Sequence, residues 1–380
     1  MNGEFMENLT HIVTITDYSS QGEGVARLDD GRVVFVHGAA RGDTCKIAII
    51  SEQSRSCRGE IVDIIEPSKH RIKPNCPAYP MCGGCDFRHI TYEEELNAKI
   101  KRVNDALERL GGQDIRVNGI IATGQTDGYR NKVVFHTSSQ GDTTQIGLYG
   151  TGTNDLVPIR HCLLLEDDLN IALGKLWDTR QKAGRNITLR TSRIINGDNF
   201  EIELDGLIFA ASNESFFQVN NDAALLLFQK AREYADMSKN EMIIDLYCGV
   251  CSLTLFVGRD AGSALGVESN VVAVENAKAN AKRNGFNHID FICADAAKWD
   301  SAGINPDCVI VDPPRSGLSS IAVEKIHELS PERIVYVSCD PATLARDVMR
   351  LQNYESISIS AIDMFPRTSN IECCLLLIRK

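Results

Sequence analysis

The sequence predicts an α/β protein with additional β structure: a mostly parallel sheet flanked by helices in the C-terminal half, a small β-barrel at the N-terminus, and a β-rich segment between them. Three observations lead there. From about residue 216, apolar strand-like runs alternate with helical stretches, the pattern of a parallel sheet covered on both faces. Between residues 8 and 66, short runs rich in β-branched residues are separated by turn residues. Between residues 67 and 215, shorter strand-like pieces follow one helical stretch.

In the N-terminal stretch the runs are His11–Ile15, Arg32–Val36, Lys46–Ile50 and Glu60–Ile65. Gly22, Gly24, Asp30-Gly31 and Arg41-Gly42-Asp43 mark the turns. Four or five short strands in so few residues suit a barrel of the oligonucleotide-binding kind. In residues 91–110, Leu96, Ile100, Val103, Leu107 and Leu110 recur at helical spacing. Thr91 is placed to cap this helix, acidic residues fill its first turn, and Gly111-Gly112 ends it. Lys132–His136, Ile187–Arg190 and Phe200–Leu204 read as strands of the central segment. In the C-terminal half the strands are Met242–Leu246, Ala264–Glu268, Ile289–Ile292, Cys308–Asp312, Arg333–Ser338 and Leu375–Ile378, with a helix over Asn270–Asn284. Ligands of such sheets bind at the carboxyl ends of the strands.

The chain of 380 residues is long enough for two or three cores. No apolar run reaches the length of a membrane span, and Met1–Thr10 shows no signal-peptide pattern, so a cytoplasmic protein is expected; a monomer is the expected state. Thirteen cysteines, an odd number, suit reduced thiols, a metal site and a nucleophile better than a disulfide framework. A net charge of -11 argues against broad, non-specific binding of nucleic acid but leaves room for a local basic groove. Lys69–Lys73 is the one compact basic stretch, equally readable as a solvated loop or an RNA contact.

Asp245-Leu246-Tyr247-Cys248-Gly249 closes the first strand of the C-terminal half, Glu268 ends the second, and Asp295 follows the third. An acidic residue ending the second strand can grip ribose hydroxyls. The order resembles S-adenosylmethionine methyltransferases, with a Rossmann-like sheet, and the turn Gly249-Val250-Cys251-Ser252 lacks the spaced glycines of a pyrophosphate loop. Two further strand ends carry chemistry. Asp312-Pro313-Pro314-Arg315 places a carboxylate on a stiff turn; similar sequences in amino-group methyltransferases usually continue with an aromatic residue. Cys339, in Val337-Ser338-Cys339-Asp340-Pro341, stands on the same edge as Asp312. Uracil C5 is a poor nucleophile until a thiolate adds at C6, and a thiolate both attacks and leaves well. A buried structural cysteine is the plainer alternative. Glu372 begins the last strand near the same edge; a base is needed to remove the C5 proton, although a lone glutamate there is usually a solvated charge.

Cys76, Cys82 and Cys85 form a C-x5-C-x2-C array in a turn-rich loop and read as metal ligands, with Cys162 the best fourth. Spacing alone leaves zinc and a 4Fe–4S cluster both open.

Together these residues resemble the RNA (uracil-5-)-methyltransferase family over nearly the whole chain. VSCDPATLARD, Val337 to Asp347, is the most specific block. The resemblance implies a TRAM-like, RNA-binding barrel at 8–66, an iron–sulfur segment and β-rich central domain at 67–215, and a catalytic domain at 216–380. It makes Cys339 the nucleophile and Glu372 the base. Gln218, in Ser215–Asn220, joins Tyr247, Ser252, Glu268, Asp295 and Asp312 as contacts of S-adenosylmethionine. Cys76, Cys82, Cys85 and Cys162 become ligands of a 4Fe–4S cluster. The implied substrate is a uridine flipped out of an RNA loop, in ribosomal RNA, with the transfer RNA T-loop as the alternative. An amino-group methyltransferase and an inert iron–sulfur RNA-binding protein are the readings from other classes. Two positions depart from the family pattern: Asn370 replaces a usual histidine, and Cys251 replaces a usual glycine, where its Cβ is expected to crowd the methionine end of the cofactor.

Overall fold

The computed structural model describes residues 10–140, 143–179, 181–191, 193–196, 199–212 and 215–380. Residues 8 and 9 of the expected barrel, and all of the N-terminal stretch before Thr10, lie outside them.

β1 (Thr10–Thr14), β2 (Asp17–Tyr18), β3 (Gly24–Arg27), β4 (Val33–Val36), β5 (Thr44–Glu52) and β6 (Ser56–Glu66) form a six-stranded sheet in the order β1-β5-β6-β4-β3-β2. Alternating residues such as Val34, Val36, Cys45 and Ile47 fill a core of its own, as period-two patterning requires. The basic stretch after β6 is structural at its centre. Arg71 is paired with the buried Asp43 and donates to the Gly38 carbonyl at 2.9 Å, which fastens the barrel to the cysteine-bearing segment. Only Lys69 and Lys73 of the basic side chains there stay exposed.

α1 (Tyr92–Arg109) begins where Thr91 accepts from the Glu94 amide and ends at Gly111, whose amide returns to Ala106 and Leu107. The central segment then serves three sheets. β7 (Ile120–Ile121) joins the C-terminal sheet; β8 (Lys132–Gln140), β9 (Thr143–Tyr149), β10 (Leu156–Pro158) and, after α2 (Asp167–Trp177), β11 (Asn186–Arg190) form a four-stranded sheet. β12 (Arg193–Asn196), β13 (Asn199–Leu204) and β14 (Leu207–Ser212) form a third. Phe200, Ile202, Phe209 and Ala211 of this last sheet share a core with the helices of the C-terminal half, whereas Val133, Phe135 and Ile146 of the four-stranded sheet pack in a separate one. The β-rich segment 67–215 is therefore divided in its packing, because β13 and β14 bury their apolar face on their neighbours to the C-terminal side.

α3 (Asn221–Ala235), β15 (Met242–Leu246), α4 (Ser252–Gly258), β16 (Ser263–Glu268), α5 (Val271–Arg283), β17 (Ile289–Cys293), β18 (Cys308–Val311), α6 (Ser320–Leu329), β19 (Arg333–Ser338), α7 (Pro341–Arg350), β20 (Tyr354–Ile362) and β21 (Glu372–Arg379) complete the chain. The eight-stranded sheet runs β17-β16-β15-β18-β19-β21-β20-β7, parallel through its first five strands, with β21 antiparallel to both neighbours. Buried residues alternate between the two faces, Ile243 and Ile310 on one, Ile244 and Val311 on the other. β20 is absent from the expected strands; its polar, serine-rich sequence hides a half-covered strand next to the edge. No helix among the described residues is long and apolar enough to cross a membrane.

Candidate active site and cysteine cavity

Parallel register aligns the carboxyl ends of the strands. Leu246 pairs with Val267 and Val311, and Glu268 with Cys293, so Tyr247, Glu268, Asp295 and Asp312 all emerge along one edge. The turn after β15 is bent hard: Tyr247, Gly249 and Cys251 all have positive φ, at 73°, 54° and 71°. Non-glycine residues held there cost roughly 1–3 kcal/mol each and persist only where the surroundings enforce them. Here the amides of Tyr247 and Cys248 both donate to the Val267 carbonyl, and the Gly249 amide donates to Glu268 Oε2 at 3.1 Å. Open space lies before Gly249, since a Cβ added there would meet nothing within 4 Å.

Cys251 does not crowd that space. It is fully buried and its Sγ stands 3.5 Å from the Ala277 carbonyl of α5, in the core behind the turn. The expected clash with a ligand is thus replaced by a backbone cost. Ser252 starts α4 and is half-buried, whereas Asp295 is exposed and accepts from the Ala297 amide at 2.9 Å. Gln218 is buried between β14 and α3, with its carbonyl held by Asn131 Nδ2 at 3.1 Å. Asn220 caps α3 and donates to the Met364 carbonyl at 3.1 Å, tying this segment to the approach of β21.

Asp245 is a buried carboxylate of this edge to which its place in the sequence assigns no role. Thr254 donates to its Oδ2 at 2.6 Å, while Oδ1 has no partner among the described residues. Burial, then Asp312 and Glu268, push its carboxyl up to about 8. A run of acceptors with one left unsatisfied suits a ligand that brings hydroxyls, an ammonium group or another cationic centre.

The neighbouring part of the edge holds Cys339 and Glu372. β19 and β21 are antiparallel with Ser338 opposite Cys373, which sets Cys339 and Glu372 side by side just past the last pair. Glu372 is not a solvated terminal charge. It is buried, and burial, with Asp312 adding, raises its carboxyl well above the usual range while Arg315 opposes the rise. Cys339 is half-buried; burial, Glu372, Asp312 and Asp340 push its thiol up to about 11, again against Arg315. Asp340 caps α7 by accepting from the Thr343 amide at 2.8 Å, so the positive end of that helix faces the thiol's neighbourhood. Burial alone raises Asp312 to about 7.

Two buried polar hubs brace this edge. Asp347, the final residue of the VSCDPATLARD block, accepts from the Leu318 amide at 2.7 Å and the Tyr336 hydroxyl at 2.8 Å, and pairs with Arg346 and Arg350. It sits so close that a Cβ on Gly317 would lie 2.3 Å from its Oδ2. Lys99 of α1 donates to Glu95 at 2.8 Å, Asp363 at 2.7 Å and the Phe365 carbonyl at 3.1 Å, and Glu95 also accepts from the Arg367 amide. Together they hold the loop that leads to Glu372. In sequence, Lys99 and Glu95 look like an ordinary i, i+4 surface pair; only Asp363, far along the chain, shows otherwise.

Away from this edge, Cys76, Cys82, Cys85 and Cys162 line one cavity of about 410 Å³, together with Arg88 and Arg130. Burial raises Cys85 to about 12 and raises Cys82 and Cys162 as well. The Nε atoms of Arg88 and Arg130 are buried without a partner among the described residues. No group of three or more His, Cys, Asp or Glu side chains is gathered to hold a metal ion among those residues. The four thiols share the lining of that one cavity.

A Clostridium tetani protein described as an uncharacterized RNA methyltransferase is 31% identical over 98% of this chain and 96% of its own length. The family model described as tRNA (Uracil-5-)-methyltransferase matches residues 299–380, which hold Asp312, Cys339 and Glu372. The chain belongs to the RNA (uracil-5-)-methyltransferase family. A TRAM domain model matches residues 4–62 of this methyltransferase. An uncharacterized RNA methyltransferase of Gloeobacter violaceus is also 31% identical, over 99% of this chain and 98% of that protein. In fold, the methyltransferase is similar to the Pyrococcus abyssi tRNA (uracil-54, C5)-methyltransferase solved with S-adenosyl-L-homocysteine, with a TM-score of 0.75, 22% identity, and 97% and 100% of the two chains covered.

Proposed function

We propose that this methyltransferase transfers a methyl group from S-adenosylmethionine to C5 of an RNA uridine through a covalent adduct on Cys339. The observation that carries the reading is the place of Cys339 beside the buried Glu372, just past the last pair, Ser338 and Cys373, of the β19–β21 ladder. S-adenosylmethionine supplies an electrophilic methyl group on a cationic sulfur. The acceptor-rich edge suits it: Glu268 faces the open space before Gly249, Asp245 has an oxygen without a partner among the described residues, and Gln218, Tyr247, Ser252, Asp295 and Asp312 are the further proposed contacts.

The Cys339 thiolate adds to C6, and the C5–C6 π electrons move toward O4. C5 then takes the methyl group, leaving S-adenosylhomocysteine. Glu372 takes the proton from C5, the double bond re-forms, and the C6–S bond breaks to release Cys339. A carboxylate whose pKa is raised by burial is a better base for this weakly acidic proton than a solvated one. Attack at C6 comes from above the ring, so the base must leave its stack, which costs least in a loop.

Cys76, Cys82, Cys85 and Cys162 would hold a 4Fe–4S cluster. Four thiols lining one cavity can supply the four ligands such a cluster needs, and the Nε–H groups of Arg88 and Arg130, without a partner among the described residues, can donate to its sulfurs. The barrel at 8–66 would carry RNA to the catalytic domain at 216–380, with the cluster segment and central sheets at 67–215 between. Ribosomal RNA is the substrate proposed, on the barrel and four-cysteine site together; the transfer RNA T-loop is the second reading, favoured by likeness to the Pyrococcus abyssi enzyme. Mapping 5-methyluridine in cellular RNA with and without the protein tests both: loss of the mark from ribosomal RNA supports the first, loss from the T-loop the second, and no loss sinks the activity.

A further inference from the structure

Glu372 is the first residue of β21 and pairs with Ile362 at the end of the β20–β21 ladder, so the sheet fixes the chain only from Glu372 onward. Before it, residues 363–371 close the turn between the two strands. Lys99 and Glu95 grip the first half of that loop, at Phe365 and Arg367. The half next to Glu372 is held by another part of the chain, the residues directly after Cys85. Asp86 Oδ2 accepts from the Ser369 amide at 2.7 Å, three positions before Glu372. The amides of Asp86 and Phe87 donate to the Arg367 carbonyl at 2.9 and 3.1 Å.

These bonds hold a backbone that would not keep its shape alone. Arg367 has a φ of 69°, a left-handed conformation that a non-glycine residue keeps only where its surroundings enforce it. Asp86 has little room to swing away and let the loop relax. The barrel closes over it, so that a Cβ added to Gly22 would lie 2.7 Å from the Cβ of Asp86, and the Tyr79 hydroxyl donates to the Asp86 carbonyl at 3.3 Å. The Ser369 carbonyl accepts in turn from Arg102 Nη1 at 2.8 Å, and Arg102 lies 3.5 Å from Asp340, the neighbour of Cys339. Ser369 is thus held on both sides, by the cysteine segment and by the reaction edge.

We propose that Asp86 is a positioning residue for Glu372: it fixes, from the cysteine segment, the loop that delivers the carboxylate to the reaction edge. The inference rests on Glu372 being the base. The part of Asp86 is to accept one backbone hydrogen bond, which requires an oxygen at that point and not a charge. Loss of the bond leaves attack by Cys339 and methyl transfer intact. It slows removal of the C5 proton, the step that depends on where Glu372 stands.

The test is single-turnover methylation of loop-uridine RNA by the full-length protein, with the covalent complex followed on denaturing gels. In Asp86→Ala the methylated complex should form at the wild-type rate and decay about ten- to a hundredfold more slowly, the scale of a displaced reacting group. Asp86→Asn keeps the acceptor oxygen and should release RNA as wild type does. Asp86→Glu keeps the charge but moves the acceptor by one methylene group, and should stall; it takes the place of Asp86→Ala should that variant not fold. Hydrogen exchange without RNA should rise in residues 365–372 of the stalling variants and stay unchanged in α7. Equal slowing of complex formation and decay overturns the proposal, as does an Asp86→Asn as slow as Asp86→Ala. Glu372→Gln, run alongside, separates the two readings. If it fails to stall, the assignment of the base has failed and the proposal with it; if it stalls while Asp86→Ala releases normally, the proposal alone falls.

Discussion

Cys339 and the four cysteines of the cavity face the same physical problem and meet it in opposite ways. At both places burial holds thiols in the protonated form: Cys339 is pushed up to about 11 and Cys85 to about 12. At the cavity the nearby thiols add to the rise and Arg88 opposes it; at Cys339 three carboxylates add and Arg315 opposes. Four thiolates in one place need a lasting positive charge, which a metal centre supplies. A single reacting thiolate, as proposed for Cys339, needs one only while it reacts, and a helix end and the sulfonium of a co-substrate can supply it. On the proposed reading, a permanent cation would make the cavity a structural site and a borrowed one would make the edge a reactive site.

The largest effects should separate the two. Cys339→Ala should abolish methylation and any covalent RNA complex while leaving iron content unchanged. Glu372→Gln should still attack and still transfer methyl, then stall, because removal by a base is typically worth about a hundred- to ten-thousandfold in rate. The stalled species is a methylated protein–RNA complex, visible as a shifted band on a denaturing gel with ordinary uridine RNA. Normal turnover by Glu372→Gln without that band would reverse the role given to it.

Iron and sulfide analysis of anaerobically purified protein should find about four of each per chain, the cluster's own formula. Cys162→Ser should lower that content and the melting temperature together, by roughly 5–10 °C if a few kcal/mol of metal-coupled folding is lost. Stoichiometric zinc with no iron would leave the comparison standing but change the metal.

Proton equilibria sharpen the contrast further. With the Cys339 thiol near 11, the thiolate fraction grows about tenfold per pH unit below that value. Adduct formation with 5-fluorouridine RNA should therefore rise with pH across the neutral range; a flat profile would mean that another step is limiting. Asp245, raised to about 8, acts on stability instead. An acid whose pKa is higher folded than unfolded contributes stability below its unfolded value, about 4, and loses it as pH rises through the folded one. The melting temperature without ligand should fall between about pH 5 and 8, and Asp245→Asn should flatten that slope.

The smallest effects belong to the two departures from the family pattern. Cys251→Gly relieves a left-handed backbone worth roughly 1–3 kcal/mol but empties a packed position, so the melting temperature should move by only a few degrees. Cofactor affinity should change little, because the side chain points into the core. Asn370→His should change turnover only modestly if Glu372 suffices as the base.

What the sequence determined by itself is the part written in short periods and local motifs. The apolar runs of β15, β16, β18 and β19 read as buried strands, Thr91 and Gly111 bound α1, and Cys339 and the cysteine triplet stand out by chemistry and spacing. Tertiary structure decided what depends on partners far along the chain. Ile120–Ile121 pairs with β20, β13 and β14 turn toward the C-terminal core, Arg71 closes on Asp43, and Lys99 reaches Asp363 across 264 positions. Glu372 and Asp245 look like ordinary charges in the sequence; enclosure by other segments raises their pKa values. The physical reason is that periodicity records which face of an element is buried, whereas the cost of burying a charge, and the partner that offsets it, are set by whichever distant segment arrives there.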